Sequence, residues 1–163
     1  MLKWLSVTVV VIVIDMLTKS LASHNLVVYQ PLSIFPGLNF TLMHNPGAAF
    51  SFLSDASGWQ RWFFSVIALV VSGVIIVWMK RLHKEQIILA IALALILGGA
   101  LGNVWDRLTL GYVIDFIDVY YAGAHWPAFN IADSAITIGA VMLGVDAIRS
   151  HKHQKQHKHQ ANS

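Results

Sequence analysis

The sequence contains no cysteine and has few charged residues. Without cysteine, the chain has no disulfide, no thiol nucleophile and no thiolate metal site, and it cannot be lipidated on that residue. Charged residues make up 12% of the chain and hydrophobic residues 56%, whereas a typical soluble domain has about twice that charge. The hydrophobic residues form long blocks, and the sequence therefore indicates a protein that crosses a membrane several times.

Four apolar segments are long enough to cross a bilayer, which takes about 20 residues of helix. The two central segments contain no charged residue, whereas the first and the last contain acids. The predicted membrane domain covers residues 1–150, with spans at 2–22, 62–79, 86–105 and 128–148 and outer loops at 23–61 and 106–127. The first segment also has features of a cleaved signal peptide, but its loss would leave an odd number of spans, which favours a retained helix.

The basic residues of the chain concentrate on one side of this four-span arrangement. Eight of the eleven lie on that side, whereas the outer loops contain only Arg61 and Arg107; the eight are Lys3, Lys80, Arg81, Lys84, Arg149, Lys152, Lys155 and Lys158. Because Lys and Arg favour the cytoplasmic side of a membrane, both termini are predicted to be cytoplasmic and both outer loops to face outward. The tail at 151–163, rich in His and Lys, is predicted to be a solvated cytoplasmic segment in contact with anionic lipid, with weak metal binding as the alternative.

The first outer loop has the composition of a small β structure. Its segments 26–32, 38–45 and 48–53 are β-prone, and prolines and glycines separate them. A small sheet on the membrane surface fits this pattern. The loop also contains Asn45, whose amide can hydrogen-bond a substrate peptide, and Gly47, which can adopt a positive φ. An ordinary turn before a strand is the alternative for both residues.

Two aspartates, Asp115 and Asp133, flank the start of the last span. Asp115 lies in an alternating stretch typical of a short strand, and Asp133 follows Asn130 at the spacing of a helix cap. Taken singly, Asp133 is a capping residue and Asp115 is an exposed loop acid, as is Asp118. Taken together, two carboxyls near one membrane face can share a proton, as an aspartic hydrolase requires.

Further polar residues occur within the apolar segments. Asp15 and Lys19 are four residues apart, which allows either an internal ion pair or a pair that faces a substrate. Asn103 and Arg107 share a helix face, from which they can hold a neighbouring carboxylate or a substrate backbone. Pairing of Arg107 with Asp106 at the end of the helix is the structural alternative.

Five short motifs together resemble the bacterial signal peptidase II family, the lipoprotein signal peptidases. They are DMLTK (15–19), NPGAAFS (45–51), GGALGNVWDR (98–107), VIDFI (113–117) and PAFNIAD (127–133). The motifs occur in the family's order and spacing, on the same four-span plan, over nearly the whole chain. The histidine-rich tail is unlike the family.

This resemblance implies a fold and an activity. The fold is all-α in the membrane, with four transmembrane helices and a small periplasmic β-cradle in the first outer loop. The activity is that of an aspartic endopeptidase of the bacterial inner membrane, with its active site toward the periplasmic face. It removes the signal peptide of prolipoproteins just before a cysteine that carries diacylglycerol.

The resemblance also implies roles for residues and partners. Asp115 and Asp133 match the catalytic pair. The polar positions that support the site or the fold are matched by Asp15, Lys19, Asn45, Gly47, Asn103, Arg107 and Asn130. The expected partners are prolipoproteins and membrane lipid, and no metal, other cofactor or nucleic acid is implied. We expect the chain to act as a monomer.

Two other classes of membrane protein are alternatives. A proton- or cation-coupled transporter would use Asp15, Asp133 and Arg107 as a relay through the bundle, and a structural four-helix protein would use no acid for chemistry. A transporter needs acids near the middle of the membrane with access from both sides, whereas a peptidase needs its acids at one interface. The predicted positions of Asp115 and Asp133 favour the peptidase.

Overall fold

The computed structural model describes residues 2–47 and 58–160, and for residues 150–160 it describes the backbone alone. The predicted β-prone segment at 48–53, with its two alanines next to Gly47, lies outside the described residues. A 3-10 turn at Leu2–Trp4 precedes four long helices. These are α1 (Leu5–Asn25), α2 (Trp59–Arg81), α3 (Ile87–Thr109) and α4 (Ile131–Gln160). Each helix contains an apolar stretch long enough to cross a membrane, and in α4 that stretch ends at Arg149.

All four predicted spans are helical, but several helix ends differ from the prediction. Helix α3 continues to Thr109, so Asp106 and Arg107 belong to the helix and not to an outer loop. Helix α4 begins only at Ile131 and continues as helix into the tail. Hydropathy misplaced the end of α3 because its last turns contain polar residues that hydrogen-bond inside the protein, where their low hydropathy is no guide to helix length.

Helix α3 is the central helix and packs against the other three. Glycines allow the close contacts: a Cβ on Gly99 would overlap a carbonyl oxygen of α4, and a Cβ on Gly139 would lie 2.6 Å from a carbonyl oxygen of α3. The spacing of Gly98 and Gly102 predicts a similar approach of another helix. The structure confirms it against α1, where an added Cβ would lie 2.8 Å from an α1 side-chain atom at each position.

The outward faces of the helices carry large apolar side chains. Five of them are more than half exposed: Val10, Leu17, Val70, Val74 and Val141. Many large apolar side chains exposed on long apolar helices indicate that the surrounding environment is lipid. Buried polar groups, among them Asp15, Lys19 and Asn103, lie in the bundle interior.

A small antiparallel sheet lies at one end of the bundle. Its four strands pair in chain order: β1 (Leu32–Phe35), β2 (Leu38–Asn45), β3 (Val113–Tyr121) and β4 (Ala124–His125). The inner side of the sheet packs against the end of α1 through Ala22, Leu42, Ile114 and Phe116. This apolar contact fixes the first half of β3 beside the helices, and Asp115 lies in that half.

The predicted position of the sheet requires a correction. The sequence placed it in the first outer loop, but only β1 and β2 come from that loop, whereas β3 and β4 lie between α3 and α4. The predicted segment 38–45 is β2, but most of 26–32 is not a strand and makes only an isolated bridge at Val28. The central pairing joins β2 to β3, two segments about 75 residues apart, which local propensity does not reveal.

Candidate active site

Asp115 lies on β3 with its carboxyl enclosed by amide groups. The residue is only 2% exposed. Its Oδ1 accepts a hydrogen bond from Asn130 Nδ2 at 2.7 Å, and its Oδ2 accepts one from Asn45 Nδ2 at 3.0 Å. The strand predicted around this residue is confirmed. The alternative, that Asp115 is an exposed loop acid, is wrong, because β3 pairs with β2 and packs on the helices.

Asp133 lies in the first turn of α4 and takes part in a reciprocal cap with Asn130. The Asp133 backbone N–H donates to Asn130 Oδ1 at 2.9 Å, and the Asn130 N–H donates to Asp133 Oδ2 at 3.3 Å. The predicted helix cap is therefore confirmed. The other carboxylate oxygen, Asp133 Oδ1, accepts a 2.7 Å hydrogen bond from Asn103 Nδ2. Both oxygens of the Asp133 carboxyl therefore accept a hydrogen bond, at the positive end of the helix dipole.

Asn130 joins the two aspartates, since its side chain contacts Asp115 while its backbone N–H contacts Asp133. Both carboxyls line one cavity of about 1230 Å³. Within the described residues neither carboxyl has an ion-pair partner. Burial raises the pKa of Asp115 to about 7; the charge of Asp133 acts in the same direction, and the hydrogen bonds from Asn45 and Asn130 oppose the rise. The site thus favours one proton on Asp115.

Asn45 is held in place by the turn that follows β2. Its Oδ1 accepts a 2.9 Å hydrogen bond from the Gly47 N–H, which orients Nδ2 toward Asp115. Gly47 has the predicted positive φ, at +107°, and a Cβ there would lie 3.0 Å from the Phe64 ring. Both ends of the Asn45 amide are engaged, so in this structure the residue holds Asp115 and does not present a free amide to a peptide.

A second polar cluster surrounds Lys19 in the bundle interior. Lys19 Nζ lies 2.7 Å from Asp15 Oδ2 and 2.9 Å from Asp106 Oδ2. It also donates to Asn103 Oδ1 at 3.0 Å. Asp15 Oδ1 accepts a 2.8 Å bond from the Ala132 N–H in the first turn of α4. Of the two interpretations of Asp15 and Lys19, the structure supports the internal ion pair, because both residues are buried and neither lines the cavity.

Arg107 lies beside the two carboxyls without an ion-pair contact to either. Its guanidinium stands 5.6 Å from the centre of the Phe64 ring, and its NH1 group is 3.5 Å from the Asn103 carbonyl oxygen. The structural alternative, a pairing of Arg107 with Asp106, is not observed. Asp106 points to the other side of α3, where its Oδ2 meets Lys19 and accepts a 3.2 Å bond from the Ile114 N–H.

The sequence analysis missed a third polar group, formed by Asp118 and His125. Asp118 was interpreted as an exposed acid, yet it is 2% exposed. Its Oδ1 lies 2.7 Å from His125 Nδ1, and its Oδ2 accepts bonds from Asn39 at 3.2 Å and Thr41 at 3.0 Å. Burial opposes ionisation, but these hydrogen bonds outweigh it and lower the pKa of Asp118. The repeated Asp in VIDFID was the available signal, since the second acid also follows a β-prone residue.

The cavity itself is mainly apolar and aromatic away from these acids. Its wall includes Tyr29, Met43, Trp126, Phe129 and Ile138. Among the described residues, no group of three His, Asp or Glu side chains is arranged to hold a metal ion. Chemically, the arrangement offers a carboxyl that favours a proton, a carboxylate with two donors, and an apolar space beside them.

Comparison with known proteins gives a consistent result. A family model described as signal peptidase (SPase) II matches residues 7–149. The chain is similar to the lipoprotein signal peptidase of Pseudomonas aeruginosa, with 56% identity over 153 residues that cover 93% of this chain and 90% of that protein. The lipoprotein signal peptidase of Acinetobacter baumannii is 57% identical over 143 residues, 88% of this chain and 81% of that protein. A solved structure described as a bacterial membrane enzyme is 29% identical, with a TM-score of 0.82 over 93% of this chain and 90% of that one.

Proposed function

The chain belongs to the signal peptidase II family, and we propose that it is the aspartic endopeptidase that removes signal peptides from diacylglyceryl-modified lipoprotein precursors. The bond cleaved is the one just before the lipidated cysteine. The observation that carries the proposal is the pair of carboxyls, Asp115 and Asp133, which face one cavity and share the contact with Asn130.

In the proposed mechanism the two aspartates have different tasks. Asp133, charged and held by Asn103 and the Asn130 N–H, takes a proton from a water molecule. The water oxygen attacks the carbonyl carbon of the scissile bond, while protonated Asp115 donates a hydrogen bond to the carbonyl oxygen. When the tetrahedral intermediate collapses, the C–N bond breaks and Asp133 returns its proton to the departing amine. Asp115 ends as it began, so one shared proton suffices.

The supporting residues act through these two aspartates. Lys19 donates to Asn103 Oδ1, which leaves the Asn103 Nδ2 group to donate to Asp133. In the same way, the Gly47 N–H occupies Asn45 Oδ1 and leaves Nδ2 for Asp115. Both amides are therefore oriented as donors to a catalytic carboxyl, and they are positioning residues in this proposal.

Four more residues complete the proposed site. Asn130 bridges the dyad, and Asp15 anchors the first turn of α4 through the Ala132 N–H. Gly47 allows the turn that orients Asn45, while Arg107 supplies a positive charge near both carboxyls. That charge can moderate the repulsion between Asp115 and Asp133 without an ion pair that would neutralise either acid.

A lipidated substrate fits the course of the cavity. Besides the sheet, the cavity is lined by Ser134, Thr137 and Ile138 of α4. From Asp133 to Ile138 the helix advances about 7 Å along its axis, so the cavity follows α4 from the sheet into the apolar span. Acyl chains buried along this wall contribute about 0.8 kcal/mol per CH₂. Because one chain supplies both carboxyls, a monomer suffices for this activity.

For the orientation we propose cytoplasmic termini and a dyad at the periplasmic face. The support is the direction of the helices: the sheet and dyad lie where α1 and α3 end and α4 begins. The basic link at 80–84, the start of α1 and the end of α4 lie at the opposite ends of these helices. With the single membrane domain proposed for residues 1–150, the basic side is cytoplasmic, and the tail at 151–163 extends from it.

The transporter alternative has little support in this arrangement. A transporter would need Asp15 to be accessible so that it could bind and release the transported ion. Asp15 is instead fully buried, paired with Lys19 and hydrogen-bonded to the Ala132 N–H. The family of the chain is likewise a protease family.

The direct test is cleavage of a synthetic precursor by the purified protein in detergent. One precursor carries diacylglyceryl-cysteine after its signal segment, and the other has the same sequence without lipid. We expect a single cut before the lipidated cysteine and a much slower reaction of the unlipidated precursor. Equal rates on the two precursors would contradict the proposed substrate class, and no cut in either would contradict the proposed activity.

A further inference from the structure

The cavity wall contains a polar pair that the proposed mechanism does not use. Asp118 and His125 line the same cavity as Asp115, and they lie farther along the sheet. Asp118 is buried and His125 is about half exposed, with 52% of its side chain accessible. The short hairpin of β3 and β4 does not need a charged group for its stability. The position of this buried acid and half-exposed histidine beside a peptide-sized cavity therefore suggests a role in binding.

The imidazole of His125 is held in one orientation. Its Nδ1 lies 2.7 Å from Asp118 Oδ1, and Asp118 is fixed in turn by Asn39 and Thr41. The ring also stacks on Tyr120, with centroids 5.3 Å apart. A carboxylate can only accept a hydrogen bond, so the neutral His125 ring carries its proton on Nδ1 and donates it to Asp118. Nε2 is then an acceptor. Nε2 has no hydrogen bond to any described residue.

The spacing along β3 relates this acceptor to the dyad. Asp118 follows Asp115 by three residues, which is about 10 Å in a strand. An extended peptide in the cavity would cover the same distance in about three residues. The N–H group that meets His125 would therefore belong to a residue about three positions from the cleaved bond.

The fold also indicates which side of the cut faces His125. The first half of β3 packs against the helices through Ile114 and Phe116, whereas its far end is solvent-facing, with Tyr121 87% exposed. The signal segment of a precursor must stay in the apolar span, close to α4. The chain that follows the cut must leave toward water, and that direction leads past Asp118 and His125.

We propose that His125 accepts a hydrogen bond from a substrate backbone N–H about three residues after the cleaved bond, and that Asp118 is the residue that positions it. This inference rests on the proposed peptidase function and adds a subsite to it. His125 contacts the peptide but takes no part in breaking the bond. A backbone contact is also compatible with precursors of different sequence, because every residue except proline offers the same N–H group.

The test uses N-methylation, which removes one peptide N–H at a time. Four diacylglyceryl-modified precursors are compared: one unmodified, and three N-methylated at the second, third or fourth residue after the cut. Each is cleaved by the unsubstituted protein, by His125→Phe and by His83→Phe. His83 is an exposed histidine in the link between α2 and α3, at the other end of the bundle, and serves as the matched control.

With the unsubstituted protein and with His83→Phe, methylation at one of the three positions should lower kcat/KM by about fivefold to tenfold, the value of one hydrogen bond. His125→Phe should lower kcat/KM on the unmodified precursor by the same factor and should be insensitive to methylation at that position. His125→Gln, whose side-chain oxygen can accept the same N–H, should recover part of the sensitivity. Asp118→Asn should reduce the sensitivity to methylation, mainly through a change in KM, because the His125 ring is no longer oriented.

Thermal unfolding of each variant identifies any loss of folding, and His125→Gln provides the second variant if the phenylalanine variant unfolds. Equal methylation effects in His125→Phe and in the unsubstituted protein would overturn the inference, as would the absence of a sensitive position in the unsubstituted protein. A failure of the underlying function is a different result, because the unmodified precursor would then not be cleaved at all.

Discussion

Two clusters of buried acids lie within one bundle and differ in how their charge is balanced. Around Lys19, the carboxylates of Asp15 and Asp106 lie 2.7 and 2.9 Å from a single ammonium group. Around Asn130, the carboxyls of Asp115 and Asp133 have, among the described residues, only amide and backbone N–H donors within hydrogen-bond distance. The first cluster is closed to the cavity, and the second opens to it.

The difference fits a structural role for the acids around Lys19 and the proposed chemical role for Asp115 and Asp133. A cation at contact distance stabilises the charged form of a carboxylate and so weakens its binding of a proton. Amide donors stabilise a carboxylate less and leave it able to exchange protons, and burial then raises the pKa of Asp115 to about 7. Asn103 connects the two clusters. Its Oδ1 accepts a hydrogen bond from Lys19, and its Nδ2 donates one to Asp133.

The largest effect is expected in the cluster that lacks a cation. Asp115→Asn and Asp133→Asn should each lower kcat by about 10³-fold or more, because an amide cannot exchange the proton. The double variant should be hardly worse than either single variant, since the two groups act as one unit. Asp146→Asn, on the same helix as Asp133 but far from the site, is the matched control. Near-normal turnover in a folded Asp115 or Asp133 variant would remove that residue from the mechanism.

The cluster with a cation should respond mainly in stability. Lys19→Met leaves Asp15 and Asp106 buried without their counterion, which should cost about 3–5 kcal/mol of unfolding free energy. Lys84→Met, at an exposed position between α2 and α3, should have little effect. The measurement is thermal unfolding in detergent at neutral pH. If Lys19→Met unfolds like the control but loses activity, the cluster acts in the reaction and our separation of the two clusters is wrong.

An intermediate effect is expected where a neutral donor meets the dyad. Asn45→Ala should lower kcat/KM by about tenfold, or 1.4 kcal/mol. The proposed mechanism requires protonated Asp115, so activity should fall as the pH rises above about 7, the value to which burial raises the pKa of this group. The Asn45 hydrogen bond lowers this pKa, so its removal should move the fall to higher pH. Asn25→Ala, which removes an exposed amide that bonds only its own helix, should leave the pH profile unchanged.

The smallest effect concerns stability at the dyad. Because the pKa of Asp115 is higher in the folded protein than its usual 3.8, the folded state binds the proton more tightly. The contribution of this group to stability is therefore complete below pH 4 and is lost as the pH rises toward 7. Asp115→Asn lacks this loss, so at pH 8 it should melt on the order of a few degrees higher than the unsubstituted protein. At pH 4 the two should melt together, and an equal difference at both values would contradict the raised pKa.

Much of the helical architecture could be predicted from the sequence because it depends on local properties. Long apolar runs identify the four helices, and the Asn130–Asp133 spacing identifies the cap at the start of α4. The partners of Lys19 and Asp118 could not be predicted in the same way. Lys19 meets Asp106 across 87 positions of sequence, and Asp118 is buried only because β2 and β3 pair. Such contacts depend on tertiary structure, and composition does not encode them locally.

The glycine contacts between α3 and α4 have a consequence for how the protein responds to its membrane. Bilayers differ in thickness, and helices adapt to a mismatch by changing their tilt. At Gly99 and Gly139 the backbones of α3 and α4 are in direct contact, so the two helices can tilt only together. The distance between Asn103 on one helix and Asp133 on the other is then set by the protein and not by the lipid. The geometry of the proposed active site should therefore persist across bilayers of different thickness.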